Sequence, residues 1–327
     1  MNCRAIIERS RSLPFFNLST FTLSQLFQTN KSKVLETLEN NNFSKNMIKH
    51  VNGFSKNNYT CSYYEEESLH QLSTKHLPDS LKVFHVNIES FASKGRELSS
   101  YLKCLKLDFD LLCITEIRST SISLIDKEFP NFHIYIDNPS TAKGGVALLL
   151  RKDKFKEITE IDTNANFNLK DKLAGTNSLV ENKWISCKID NQNVIIGGIY
   201  RHPNRNLDSF NNALKKTLEN INDNTLSIIL GDLNINLLQE HEANVNCYLN
   251  NYFENNFIPC ITLPTRITNH STTLIDHIFV KMPKKLIQNK VSSGNIIVDI
   301  ADHLPNFTFI NIKTPTIKDR PNIGLFT

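Results

Sequence analysis

The 327-residue chain has room for one large domain or two ordinary ones, and with 40% apolar and 21% charged residues it can bury a sizeable core. A net charge of +4 and a pI of about 8.6 are compatible with a polyanionic partner but fall well short of a histone-like tail. No apolar run approaches the ~20 residues of a membrane helix; the seven scattered cysteines, odd in number and without a CxxC pair, argue against a disulfide framework or zinc knuckle and for a reducing, intracellular setting.

Residues 1–78 show little periodicity, and solvated clusters such as Asn40-Asn41-Asn42 and Glu65-Glu66-Glu67 predict a flexible leader, with Tyr63–Glu67 as a docking segment. The texture changes at Leu81, where Leu81–Ile88 reads as a strand by its β-branched content. Leu98, Tyr101, Leu102 and Leu105 recur at helical spacing, so an amphipathic helix is expected over Ser93–Lys106, followed by a buried strand at Phe109–Thr115. Further strands are expected at 144–150, 183–189, 193–200, 226–230, 274–281, 296–300 and 307–312, with helices at 207–221 and 245–257. These strands are too many for one open sheet. The expected fold is an α/β (α+β) four-layer αββα sandwich, two packed mixed sheets flanked by helices, over residues 79–313 with a short tail at 314–327.

Polar residues cluster directly after the apolar strands, where loops at a sheet edge build sites on a rigid frame. The clearest case is Ser227–Asn236, an apolar run stopped by Gly231-Asp232-Leu233-Asn234; an acid and an amide two residues apart suit a phosphate ester and a hard metal ion, although the same residues make ordinary turns. Asn87 with Ser90, Glu116, Tyr200, and the set Asp276, Asp302 and His303 have the same build. Each alone has a plainer reading: Glu116 as a solvated helix start, Tyr200 as a loop anchor, Asp302-His303 as an N-cap with a surface histidine. Asp276 fits a purely structural role least, because a charge inside an apolar strand is costly unless paired, and His303 is an available partner.

The ordered set Asn87-x-x-Ser90, Thr115-Glu116, Gly-Gly-Ile-Tyr200, Gly-Asp232-x-Asn234, Thr-Leu-Ile-Asp276-His and Asp302-His303 resembles the endonuclease/exonuclease/phosphatase superfamily over residues 80–313. The wording Phe-His-Val-Asn-Ile-x-Ser, Ile-Tyr-Arg-His-Pro, Leu-Pro-Thr-Arg266-Ile-Thr and Ala-Asp-His-Leu-Pro is similar, more narrowly, to the endonuclease domain of non-LTR (LINE-type) retrotransposons of the jockey and chicken-repeat-like lineages. The resemblance implies Glu116 as the main metal carboxylate, with Asn87 and Asp302 beside the same ion. It implies Asp232 as the residue positioning or deprotonating the attacking water, Asn234 and Tyr200 on the scissile phosphate, and Asp276 with His303 as the carboxylate–histidine pair. Mg2+, with Mn2+ as the alternative, is the implied cofactor, and oxygen ligands suit it.

Two departures stand out: Ala301 where most relatives have serine before the Asp-His pair, and Glu89 where a basic residue is common. Arg201, Arg266 and Ser90 are expected DNA contacts, with a basic rim drawn also from Lys143, Arg151, Lys152, Lys154, Lys156, Arg205, Lys281, Lys284 and Lys285. The hairpin Pro264–Thr273 is the expected reader of DNA shape. The expected function is a metal-dependent endonuclease nicking double-stranded DNA to 3′-hydroxyl and 5′-phosphate ends, nuclear and away from membranes. The reverse-transcriptase domain expected of such an element does not follow before Thr327, which implies a fragment, truncated copy or free-standing derivative. The alternatives are a decayed or domesticated nucleic-acid-binding copy and a cousin acting on abasic DNA, RNA or another phosphoester.

Overall fold

The computed structural model describes residues 59–76, 80–139, 142–163, 180–203, 205–268, 271–287 and 289–313. Its first layer is a seven-stranded mixed sheet built from β1 (Tyr59–Tyr64), β2 (Ser80–Asn87), β3 (Leu111–Thr115), β4 (Phe132–Asp137), β5 (Val146–Arg151), β14 (Val291–Ile296) and β15 (Asn306–Asn311), in the order β1-β14-β15-β2-β3-β5-β4. The second is six-stranded, built from β6 (Lys156–Ile161), β7 (Val180–Ile189), β8 (Gln192–Arg201), β9 (Leu226–Asp232), β10 (Phe257–Pro259) and β13 (Asp276–Lys281), in the order β10-β13-β9-β8-β7-β6. A hairpin of β11 (Arg266–Ile267) and β12 (Thr272–Thr273) stands apart from both. The central pairs β2–β3 and β8–β9 are parallel and each is joined through a helix, α2 (Phe91–Cys104) and α4 (Leu207–Glu219) respectively.

Strand alternation decides what each face holds. In β2, Leu81 and Val83 join the core between the sheets, whereas Phe84 and Val86 pack with Leu98 and Tyr101 of α2 on the outer face. In β9, Ile228 and Leu230 face inward; on the outer side, α4 and α5 (Ala243–Glu254) bring Phe210, Leu214 and Tyr248 to the second sheet. The result is the expected sandwich of two packed mixed sheets flanked by helices. The same alternation continues to the strand ends: Asn87, Tyr200 and Asp232 occupy the inward-facing positions that follow Val83, Ile196 and Leu230 by even steps. Polar groups therefore replace apolar ones where the inter-sheet core reaches one mouth of the sandwich.

Gly231 is required at that mouth. Its φ is 146°, and a Cβ there would lie 1.8 Å from the Ile199 carbonyl oxygen of the neighbouring parallel strand.

Several expectations are corrected. Tyr59–His76 belongs to the domain: β1 pairs in parallel with β14, and α1 (Glu66–His76) follows it. The fold thus includes the end of the expected leader, and the proposed docking residue Tyr63 donates its hydroxyl to the Pro264 carbonyl. Residues 1–58 and 314–327 lie outside the described residues. β4, β6 and α3 (Ile122–Glu128) escaped the sequence reading because they bury little: β6, Lys-Glu-Ile-Thr-Glu-Ile, is an edge strand largely exposed along its length. The strand expected at 296–300 runs instead from Val291 to Ile296, since Ser292, Ser293 and Asn295 pair fully despite their polarity. Among the described residues Cys61, Cys113, Cys187, Cys247 and Cys260 are free, in keeping with the absence of a disulfide framework among them. Among the described residues no helix is long and apolar enough to cross a membrane.

Because β1 closes the open edge of β14 and α1 buries Leu69, a chain beginning at Ser80 should unfold below one beginning at Tyr59. The expected loss is about 2 kcal/mol or more, roughly 4–8 °C by thermal unfolding. Equal midpoints would show that the first strand contributes nothing.

Candidate active site

The loops after β2 and β3 are zipped together by backbone bonds, Ile88 N–H to Thr115 O (3.0 Å) and Phe91 N–H to Ile117 O (3.2 Å). Asn87 Oδ1 accepts the Glu89 amide (3.0 Å), which turns its Nδ2 toward two carboxylates, Glu116 Oε1 (3.2 Å) and Asp232 Oδ2 (2.8 Å). Tyr200 donates its hydroxyl to the same Glu116 oxygen at 3.0 Å. Burial and the nearby Glu116 and Asp232 charges push the Tyr200 phenol up, so it remains a protonated donor.

Asp232 is fully buried and sits in register between Tyr200 of β8 and Asp276 of β13. Its Oδ1 accepts the Asn234 amide (3.0 Å), and Asn234, at φ 48°, donates its side-chain amide to Arg201 O (2.8 Å). Asp276 Oδ2 accepts from Thr265 Oγ1 (2.6 Å) and from His303 Nδ1 (2.8 Å), while its Oδ1 has no hydrogen-bond partner and lies 3.9 Å from His85 Nδ1. His303 is buried rather than on the surface, so the N-cap reading fails. Its backbone bridges to Arg266, and Arg266 clasps Asp302 Oδ2 through Nε (2.9 Å) and Nη2 (2.7 Å). Asp302 Oδ1 stands 3.8 Å from His303 Nε2.

The two facing carboxylates divide their roles through His303. Burial would raise Asp276, but the His303 charge and hydrogen bond overcome it and hold the group below the usual carboxylate range. Asp232, raised first by burial and then by the Asp276 charge, is pushed up to about 7. For His303, burial lowers the proton affinity, yet Asp276 outweighs it and the imidazolium persists to about 10. One buried acid is thus permanently charged and paired, the other is a base poised near neutrality.

The predicted residues fall into one connected set. Asn87, Glu116, Tyr200 and Asp232 touch directly, Asp232, Asp276 and His303 offer ligand atoms within 4.8 Å of one another, and Asp302 reaches His303. A hard cation fits the Glu116 side of this set: the Glu116 and Asp232 carboxylates converge on the Asn87 side chain, whose oxygen keeps a second lone pair beyond its bond from the Glu89 amide, with no cationic side chain hydrogen-bonded to Glu116 or Asp232 among the contacts above. The Asp232–Asp276–His303 trio does not fit as it stands, because Nδ1 of His303 is committed to Asp276 and the ring is protonated.

Other placements differ from expectation. Arg201 is buried, with its guanidinium donating to the carbonyls of Leu233 (3.3 Å), Asn234 (3.4 Å) and Arg205, so it braces the Asp232 loop instead of lining a surface. Asn234's amide is likewise spent on that brace, and Arg266 on Asp302. Ser90 occupies the position before α2 without a side-chain capping bond, its hydroxyl 3.2 Å from that of Ser93, and Glu89 holds Lys94 at 2.5 Å. Much of the expected basic rim lies at the wrong end: β5 runs antiparallel to β3, so Val146 neighbours Thr115 at the site while Arg151 through Lys156 stand at the far pole, and Lys281 ends β13 there too. Two supporting residues were missed, although both lie in the motifs quoted above. Thr265 holds Asp276, and His85, two residues before Asn87 on the same face, bonds Asn306 Oδ1 (3.1 Å) and Thr115 Oγ1 (3.0 Å).

In the metal-free protein, Asp232 binds a proton in the folded state between the ordinary carboxylate value and about 7, where the unfolded chain has lost it. Its contribution therefore diminishes stability as pH rises from about 4 to 7. His303 adds a stabilisation complete below the ordinary histidine value and lost as pH rises toward 10. Measured in EDTA, the stability of Asp232→Asn relative to the parent should rise by about 2–4 kcal/mol between pH 4 and 7.5. A pH-independent difference would show that Asp232 titrates like an exposed carboxylate.

The fold is shared with several solved structures of low identity. The endonuclease/exonuclease/phosphatase protein of Bacteroides vulgatus superposes with a TM-score of 0.53 at 12% identity, covering 72% of this chain and 99% of that one. The endonuclease domain of TRAS1, a telomere-specific non-LTR retrotransposon, gives 0.52 at 12%, covering 71% and 99%. Truncated Caenorhabditis elegans TDP2 gives 0.52 at 16%, covering 71% and 98%. No curated protein matches the sequence. The sequence pattern of the Endonuclease/Exonuclease/phosphatase family matches residues 84–284, which span Asn87 to Asp276 of the site, and the chain belongs to that family.

Proposed function

We propose that this phosphoesterase-family protein is a divalent-metal-dependent endonuclease of the non-LTR retrotransposon type, acting in the nucleus on double-stranded DNA. Hydrolysis of one phosphodiester bond would leave a 3′-hydroxyl and a 5′-phosphate. The observation that carries this reading is the buried Asp232, a base near neutrality, set beside a His303 cation that Asp276 keeps charged. Asp232 would orient a water and take its proton. His303 and Tyr200 would donate to the phosphate as its charge develops, with Asn234 at the same group once it leaves Arg201 O. Glu116 and Asn87 would hold Mg2+ or Mn2+, with Asp302 as a further oxygen donor shared with Arg266. When bound, such an ion supplies a fixed positive charge to the phosphate and the leaving oxygen.

Ala301 does not weaken this assignment, because Asp276 and Arg266 hold His303 and Asp302 without the missing serine. The retrotransposon assignment is supported by the motif wording and by the likeness to the TRAS1 domain.

Supercoiled plasmid should be nicked with Mg2+ and spared with EDTA. Asp232→Ala and His303→Ala should each cost about 100-fold or more in rate, the usual worth of general acid–base groups. Nicking that survives both substitutions would remove the proposal, and faster turnover of abasic DNA or RNA in the same assay would redirect it. Binding should weaken steeply with salt.

A further inference from the structure

Beside the site lies a second buried acid–histidine pair that no step above uses. Glu181 of β7 and His202, just past β8, are both nearly inaccessible, with His202 Nε2 at 2.9 and 3.1 Å from the two Glu181 oxygens. Glu181 stands in register with Tyr200 across β7–β8, and the His202 ring meets the Tyr200 ring edge-on at 4.9 Å. Glu181 Oε2 also accepts the Gly145 amide at 3.4 Å, across the gap between the two sheets.

The contact with the glycine pair is close. Gly144 and Gly145 have φ of 104° and 88°, and a Cβ on Gly144 would lie 2.8 Å from both Glu181 Oε2 and His202 Nε2. The Gly144 carbonyl in turn accepts the Arg118 amide at 2.9 Å. Glu116 and Arg118 both hold left-handed backbone, at φ 51° and 56°, a conformation that neither residue type favours and that outside contacts must enforce.

These contacts close a ring. From Glu116 the chain runs to Arg118, whose amide is tied to Gly144; Gly145 is tied to Glu181, Glu181 to His202, His202 packs on Tyr200, and the Tyr200 hydroxyl returns to Glu116 Oε1 at 3.0 Å. We propose that Glu181 and His202 are positioning residues that fix the Glu116 carboxylate from two sides, through its own backbone loop and through Tyr200. A carboxylate–histidine pair suits the task, since it bonds both a ring and a backbone amide from one buried point joining the two sheets. The proposal rests on reading Glu116 as the ion-holding carboxylate.

The test compares Glu181→Gln and His202→Gln with the parent and with Glu116→Gln, reading Mn2+ affinity by paramagnetic resonance of the free ion, plasmid nicking, and thermal unfolding. Groups that orient a metal ligand typically contribute 10–100-fold. Folded Glu181→Gln should therefore weaken Mn2+ about 10-fold and lower kcat by a similar factor, with KM for DNA changed less than about 3-fold. Should that variant not fold, His202→Gln serves, since it keeps a side-chain donor toward Glu181. A fall in Mn2+ affinity that tracks Glu116→Gln in a parent without nicking activity would uphold the positioning role while removing the nuclease reading. Parent-like affinity and kcat in the folded variants, with only the unfolding midpoint lowered, would overturn it. So would loss of folding in both variants, or a parent whose Mn2+ affinity ignores Glu116→Gln, which would sink the ion-holding reading as well.

Discussion

Two buried carboxylates stand opposite one another on a single rung of the ladder between β9 and β13, and the site depends on that repulsion being resolved unevenly. Side by side and out of water, Asp232 and Asp276 cannot both ionise freely. His303 breaks the tie by bonding Asp276, so one carboxylate is charged at all ordinary pH while its neighbour retains unusual proton affinity. Identical side chains thereby acquire different chemistry from one asymmetric contact. Much of what surrounds them keeps the asymmetry in place: Thr265 fixes the charged oxygen, and the β11–β12 hairpin is sewn to the His303 loop by Leu304 N–H on Thr265 O.

The same rung explains why the site lies at a mouth of the sandwich. Period-2 alternation sends every second side chain of β2, β8, β9 and β13 into the space between the sheets, where Val83, Ile196, Ile228 and Ile278 make the dry core. At the strand ends the inward positions become Asn87, Tyr200, Asp232 and Asp276 without any change of direction. The apolar layer beneath them supplies the low dielectric that raises Asp232, and it also makes the charge on Asp276 untenable without His303.

Much of this was legible in the sequence. The apolar runs identified the central strands, and the polar residues that end them are those that the structure brings together in the candidate site, because burial on both faces leaves an unbroken hydrophobic signal with a sharp stop. Edge elements were illegible for the opposite reason: β6, Lys-Glu-Ile-Thr-Glu-Ile, spaces its two half-buried isoleucines three apart and so breaks strand alternation, and β1, Tyr-Thr-Cys-Ser-Tyr-Tyr, carries no run at all. Residue identity was legible where orientation was not. Arg201 in Ile-Tyr-Arg-His-Pro reads equally as a phosphate contact or as an internal brace, and only the positions of the Leu233 and Asn234 carbonyls decide for the brace. The basic rim failed for a topological reason, since proximity to a motif along the chain does not say which end of an antiparallel strand a lysine occupies.

Backbone departures from ordinary conformation gather at the same mouth. Glu89, Glu116 and Asn234 each follow a central strand closely and each has positive φ. Asparagine adopts that conformation readily, and the Asp232 side chain accepting the Asn234 amide favours it locally. Glutamate has no such preference: Glu89 gains a local bond of the same kind, its amide donating to the Asn87 side-chain oxygen, whereas Glu116 depends on the tertiary bonds that join the loops after β2 and β3. A loop held by its neighbours rather than by its own sequence is rigid only while the whole mouth is assembled. Folding and site formation are then one event, and a carboxylate such as Glu116 arrives already oriented.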